Sequence, residues 1–231
     1  MLEIPGLNIS VFPWFHANAR PNKTAFICGD RQVNWAEFEA RVSRLQDALI
    51  KSGLKKGDKV GLLALNSIET VEIMYGVIRA GGVLVPLSAL LTPDLIVALL
   101  KDAGATFLFV VSPLNGLAAP ISDKLEVITP GHLISVGFQS QGWQGYEAFM
   151  DKGSDTAYPP EITGQDECVI IYSSGTTGVP KGIVHTHHGR YLTGMAAALE
   201  FRMSDVSTLL ITTPLFTNAT WLMLLGAVSV G

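Results

Sequence analysis

In the stretch NWAEFEARVSRLQDALIKSG, apolar side chains fall at Trp35, Phe38, Val42, Leu45 and Leu49, the three-and-four spacing that gathers them on one face of a helix. Asn34 followed three residues later by Glu37 is a capping pattern at its start, and Gly53 closes it. After the turn KKGD the run VGLLAL, Val60 to Leu65, predicts a short buried strand. Asn66 and Glu69 then signal a second helix start, with Val71, Met74, Tyr75 and Ile78 inward. Gly81 and Gly82 end that helix, VLVP predicts a strand, Thr92 and Pro93 open a helix through Leu99 that Gly104 stops, and TFLFVV predicts the next strand.

Strand and helix in alternation predict an α/β fold with a mostly parallel sheet flanked by helices on both faces. Residues 112–165 show no clear period, and the polar stretch DKGSDTAYPPEITGQDE reads as a surface connection into CVIIY, Cys168 to Tyr172, expected to be a central strand. Further on, GIVHT predicts a returning strand, residues 188–199 a helix, TLLIT another strand, and the chain after Asn218 a last helix. The expected organisation is an N-terminal helical segment over 1–55, an α/β subdomain over 56–203, and the incomplete start of a second α/β subdomain over 204–231.

Composition changes this picture little. The 231 residues are 48% hydrophobic and 16% charged, enough for a buried core and too apolar for disorder. Lys+Arg 16 against Asp+Glu 20 gives a formal charge of -4 with no basic block, which speaks against nucleic acid as a partner. Cys28 and Cys168 lie far apart without metal-ligand spacing and are expected to be buried thiols. From Val206 to Gly231 no residue is charged, but Pro214, Asn218 and several threonines divide the stretch, so no transmembrane segment is expected. Glu3, Pro5 and Gly6 stand where a signal peptide needs a basic start and an apolar core, making a cytoplasmic protein the default. The apolar pattern is still open at Gly231, which reads as part of a longer chain, and an exposed sheet edge in such a piece could pair two copies into a homodimer.

The candidate chemistry lies in YSSGTTGVPKG, Tyr172 to Gly182. Ser173, Ser174, Thr176 and Thr177 offer hydroxyl donors, Gly175, Gly178 and Gly182 let backbone N–H groups approach a ligand, and Lys181 adds a full positive charge. Such a set can cradle phosphate oxygens, and its place after a predicted strand puts it where open α/β sheets bind ligands. Counted from Gly175, the Walker pattern needs glycine where Pro180 stands and a Ser or Thr where Gly182 stands, and it opens a helix where IVHT predicts a strand. A P-loop NTPase is therefore disfavoured. Among the histidines, His16 and His132 read as surface or turn residues. His185 and His187 would share one face of a strand, but no nearby Cys or acid completes a metal set with them and His188. Trp221 to Leu225 read as core.

The loop resembles the phosphate-binding loop of the adenylate-forming enzymes, the superfamily of acyl-CoA synthetases, peptide-synthetase adenylation domains and beetle luciferases. Their pattern, a Ser/Thr/Gly run and then T-G-x-P-K-G, is matched by Ser173 through Gly182. RPNKTAFI, NWAEF, LKKGDKVGLLALNS and AGGVLVPL upstream, and GIVHTH and TTPLF downstream, look like the same family in the same order, with His187 at its usual histidine. One departure is Thr217, followed by Asn218, where many acyl-CoA synthetases carry a histidine after P-L-F. The resemblance implies the N-terminal portion of an ATP-dependent ligase that joins a carboxylic acid to coenzyme A through an acyl-adenylate, inactive without the remainder. It implies ATP and Mg²⁺ at Ser173, Ser174, Gly175, Thr176, Thr177, Gly178, Lys181 and Gly182, with Lys181 as the catalytic cation. His187 would have a structural role near that loop, while the adenine and ribose motifs and the lid lysine would lie beyond Gly231. A carrier-protein acceptor, or a phosphate-binding module without catalysis, are the alternatives.

Overall fold

The computed structural model describes residues 7–122, 124–125, 128–129, 131–156, 158–173 and 180–231, with the side chains of residues 118 and 119 left aside. Helix α1, Phe12–Ala19, leads into a hairpin of β1, Thr24–Cys28, and β2, Arg31–Asn34, so the first 55 residues hold a two-stranded sheet that the helical reading missed. Helix α2, Trp35–Lys51, starts on a complete capping box: Glu37 N–H donates to the Asn34 side chain at 2.8 Å and Asn34 N–H to the Glu37 carboxylate at 3.0 Å. Strand β3, Lys59–Leu63, and α3, Ile68–Arg79, follow. The cap of α3 is Ser67, whose hydroxyl accepts from Thr70 N–H at 3.1 Å; Asn66 is not the cap.

Strand β4, Val83–Leu87, helix α4, Pro93–Ala103, and β5, Ala105–Val111, come next, with α4 capped by Thr92 and ended by Gly104 in the left-handed conformation at φ 66°. The aperiodic 112–165 region supplies α5, Asn115–Ser122, β6, Leu133–Val136, β7, Gln144–Gly145, and α6, Tyr146–Met150. These elements are too short for a period to register. Finally come β8, Glu167–Ser173, β9, Lys181–Thr186, α7, His187–Glu200, and α8, Asn218–Val230.

The large sheet has the order β7-β6-β5-β3-β4-β8-β9, parallel except where β9 returns along β8. Strand β8 is thus paired on both sides but sixth of seven instead of central. Alternate residues of β5 show both faces to be buried: Phe107, Phe109 and Val111 join one apolar cluster with α2, α3, α6 and α8, while Leu108 and Val110 join another with α4 and α5. The first cluster runs from Ile9 to Val228 and so draws on all three expected segments.

Three further expectations are corrected. TLLIT forms no strand: Val206 and Leu210 are 86% and 82% exposed, and an extended segment needs a pairing edge, which no described residue supplies. Cys28 is exposed, because β1 belongs to the peripheral hairpin, whereas Cys168 is buried. His16 is buried, its Nε2 2.7 Å from the Val228 carbonyl oxygen and its ring 4.7 Å from that of Trp35. Beside it Arg20 donates to the Val230 and Gly231 oxygens at 3.1 and 3.3 Å, and Lys23 to the oxygens of Asp205 and Gly231. These basic groups from the first 23 residues satisfy the carbonyls and the negative dipole end of α8. His132, by contrast, sits at a turn as expected, stacked on Phe107 with ring centroids 3.8 Å apart.

Candidate functional site

Strand β8 carries the chain to the carboxyl-terminal rim of the sheet and β9 starts from it, so Ser173 and Lys181 stand at that rim. Ser173 and Lys181 are cross-strand partners, as are Tyr172 and Gly182 below them. Ser174, Gly175, Thr176, Thr177 and Gly178 lie outside the described residues. Pair alternation puts Ser173 and Lys181 on the sheet face opposite to Tyr172. Ser173 is half-buried; Lys181 is exposed and has no carboxylate partner among the described residues. One hydroxyl and one ammonium therefore flank the mouth of the hairpin.

The other face braces that mouth. Tyr172 donates its hydroxyl to Asp102 at 2.5 Å, with the Leu99 carbonyl oxygen at 3.3 Å, tying the end of β8 to α4. Burial, and then Asp102, raise the phenol pKa, so the proton stays on Tyr172. Gly182 lies against this tyrosine: a Cβ there would come within 2.9 Å of Ile170 Cγ2 and 3.3 Å of the Tyr172 ring. Glycine at 182 is thus needed for close approach, whatever else it does for a ligand. Gly182→Val should displace Tyr172 from Asp102 and lower the thermal midpoint by several degrees; an unchanged midpoint, with Tyr172 NMR signals unmoved, would remove this explanation.

The remaining candidates fall elsewhere. His185 is on β9 but His187 is the first residue of α7, with Thr186 as its cap, so the two do not share a strand face. His187 stands at the far end of β9 from Lys181, about 20 Å away along an extended strand, and not beside the loop. Its ring is buried, neither nitrogen has a hydrogen-bond partner among the described residues, and burial depresses its pKa to about 4. Among the described residues no three His, Cys, Asp or Glu side chains converge as metal ligands. Arg190 is buried with its guanidinium carbon 5.4 Å from the centre of the Trp221 ring, and burial lowers its pKa. Cys168 is pushed up to about 12 by burial and is no nucleophile.

Sequence reasoning missed how the rim is assembled past β3. Asn66 donates to the Thr213 carbonyl oxygen and accepts from Leu215 N–H, each at 2.9 Å, clamping the TTPLF segment to that strand's end. Trp221, buried as expected together with Leu224 and Leu225, donates its indole N–H to the Leu215 oxygen at 2.9 Å. Thr220 Oγ1 lies 2.6 and 2.7 Å from the hydroxyls of Thr213 and Thr217. Thr217, at the position of the missing family histidine, is thereby part of this clamp. No local signal could have found it, since the partners are 147–149 residues apart.

Comparison with known proteins agrees with this architecture. A family model described as AMP-binding enzyme matches residues 14–231. The chain is 31% identical over 219 residues to 4-hydroxybutyrate–CoA ligase 2 of Metallosphaera sedula, covering 91% of this chain and 40% of that protein. It is 31% identical over 209 residues to the long-chain-fatty-acid–CoA ligase FadD13 of Mycobacterium tuberculosis, covering 87% of this chain and 39% of that one. The inhibitor-bound N-terminal domain of FACL13 from Mycobacterium tuberculosis superposes with a TM-score of 0.80 at 27% identity, over 97% of this chain and 55% of that one. The chain spans about two fifths of the length of the curated relatives it matches. With a mostly parallel sheet, the motif T-G-x-P-K-G in its sequence and a family match over nearly its whole length, the chain belongs to the AMP-binding, adenylate-forming enzymes and corresponds to their N-terminal portion.

Proposed function

We propose that this chain forms the phosphate-holding part of an ATP-dependent carboxylic acid:CoA ligase. The observation that carries this reading is the cross-strand pair Ser173 and Lys181 at the carboxyl end of a sheet strand, the lysine without a carboxylate partner among the described residues, in a sequence whose residues between them are rich in hydroxyls and glycine. In the proposed reaction a carboxylate oxygen attacks the α-phosphorus of ATP, the bond to the bridging oxygen breaks, and pyrophosphate leaves; the CoA thiol then displaces AMP from the acyl group. Lys181 would neutralise charge on the departing β- and γ-phosphates, and Ser173, Ser174, Thr176 and Thr177 would donate to their oxygens. Gly175, Gly178 and Gly182 would let the backbone come close. Hydroxyl and phosphate oxygens are the hard donors Mg²⁺ takes, so the set fits a magnesium-bound triphosphate.

The test is acid-dependent exchange of labelled pyrophosphate into ATP by protein from the full reading frame, over short-chain, fatty and aromatic acids. Exchange with one class names the acid, and a second step offered CoA or a carrier-protein pantetheine names the acceptor. ATP binding without exchange would leave a nucleotide-binding module instead. Lys181→Ala should lower exchange about tenfold to a hundredfold at limiting ATP, the value of one charged hydrogen bond, with the thermal midpoint unchanged because Lys181 is exposed. Unchanged exchange would remove Lys181 from the mechanism.

The reading carries a cytoplasmic setting with it; no helix among the described residues is long and apolar enough to cross a membrane. It also carries a homodimer paired on a sheet edge. Strand β9 has an open outer edge among the described residues, with Ile183 and Val184 about half exposed. Sedimentation at two protein concentrations reports that association directly.

A further inference from the structure

The end of the hairpin that bears Ser173 and Lys181 has little to lean on. Strand β9 pairs with β8 alone, and its outer edge is open among the described residues. On its other side β8 is in register with β4 at Val169 and Leu84, short of its last residues, 171–173. Ser173 and Lys181 are themselves the final cross-strand pair, and the end of a ladder opens more readily than its middle.

One side chain holds this end. Tyr172 precedes Ser173 and is the cross-strand partner of Gly182, which follows Lys181. Its ring lies against Gly182, and its hydroxyl reaches α4, donating to the Asp102 carboxylate at 2.5 Å with the Leu99 carbonyl oxygen at 3.3 Å. Among the described residues, no other side chain of 171–173 or 181–183 makes a hydrogen bond to another element. A phenol on a carboxylate is charge-assisted and about twice as strong as a neutral hydrogen bond. Helix α4 is fixed in turn, since Ile96, Val97, Leu99 and Leu100 belong to the apolar cluster on that face of the sheet.

We propose that Asp102, outside the phosphate-loop sequence, is a positioning residue for it: by holding the Tyr172 hydroxyl it keeps the Ser173 hydroxyl and the Lys181 ammonium together, facing the phosphate chain. This role rests on the phosphate-holding reading of the mouth. A mouth that is ordered for only part of the time binds in proportion to that part, so loss of the tether shows as weaker ATP binding. Asp102 is exposed, and its replacement disturbs no core packing.

Three variants separate tether from charge. Tyr172→Phe removes the bond and keeps the carboxylate; Asp102→Asn removes the charge and keeps an oxygen for the phenol; Asp102→Ala removes both. In protein from the full reading frame, the dissociation constant for ATP with Mg²⁺, by equilibrium dialysis, should rise about tenfold in Tyr172→Phe and Asp102→Ala and stay within about twofold of the parent in Asp102→Asn. A charge effect would instead make both Asp102 variants bind ATP more tightly than the parent, and that overturns the tether. Combining Tyr172→Phe with Asp102→Ala should add nothing to either alone, and additive losses would overturn a shared bond. Amide exchange tests the tether without ATP: Tyr172→Phe should quicken exchange at Ser173 and Lys181 and leave Val169 and His185 as they were. Unchanged exchange at Ser173 and Lys181 overturns the tether even where the parent binds ATP. A parent that binds no ATP, with exchange quickened as expected, overturns the phosphate reading and with it the positioning role.

Discussion

Replacing Arg41 by alanine should lower the unfolding free energy by about 3 kcal/mol, because it strands a carboxylate inside the protein. Glu72 on α3 is fully buried, and burial raises its pKa while Arg41 acts to lower it. Arg41 Nε donates to it at 2.7 Å, Tyr146 donates its hydroxyl at 3.2 Å, and Arg31 stands 3.6 Å away. The same guanidinium forks onto Glu147 at 2.8 and 3.2 Å, so one side chain fastens α2 to α3 and α6. Glu72→Gln should cost less: the amide oxygen still accepts from Tyr146, and Arg41 keeps Glu147. Urea titrations of the two variants give the order. A cost for Arg41→Ala no larger than for Glu72→Gln would mean that Arg31 compensates the buried charge by itself.

Acidification from pH 6.5 to about 4 should remove roughly 3 kcal/mol of stability through His187. The unfolded ring takes a proton near 6.5, but the native ring, buried without a hydrogen-bond partner among the described residues, resists until about 4. Between those values the unfolded state binds more protons, so stability is full above the upper one and falls with pH until the lower one is passed. Asp166 and Lys56 face this ring with opposing effects, Asp166 raising its pKa and Lys56 lowering it. His185, depressed to about 4 by burial and by Arg190, works in the same direction, and so does His16, lowered by burial. Glu72, with its raised pKa, works in the opposite one. His187→Phe removes the titrating group and no hydrogen bond, so its urea midpoint should fall less steeply from pH 7 to 4.5. Parallel slopes for variant and parent would assign the acid sensitivity to the other histidines.

What could be read from the sequence follows the range of each cause. The α2 face and its capping box, the αL stop at Gly104 and the returning strand after Lys181 depend on residues close in sequence, and all appear where expected. β6 and β7 did not announce themselves, since strands of four and two residues are stabilised by the neighbour they pair with and not by their own composition. TLLIT shows the converse, a strand-like composition without a pairing edge. Of the candidate site, Ser173, Lys181 and Gly182 could be named from their chemistry. The Tyr172–Asp102 brace and the Asn66 clamp could not, being contacts between segments 70 and nearly 150 residues apart.

The basic row on the N-terminal segment bears on how the chain is made. His16, Arg20 and Lys23 leave the ribosome early, and the α8 carbonyls they hold follow more than two hundred residues later. Helix α1 can rest on α2 in the meantime, but its clasp on α8 closes only after β9 and α7 have been synthesised. A nascent chain arrested before α8 emerges should therefore leave the segment from His16 to Lys23 more open to proteases, and its protection marks the docking of α8.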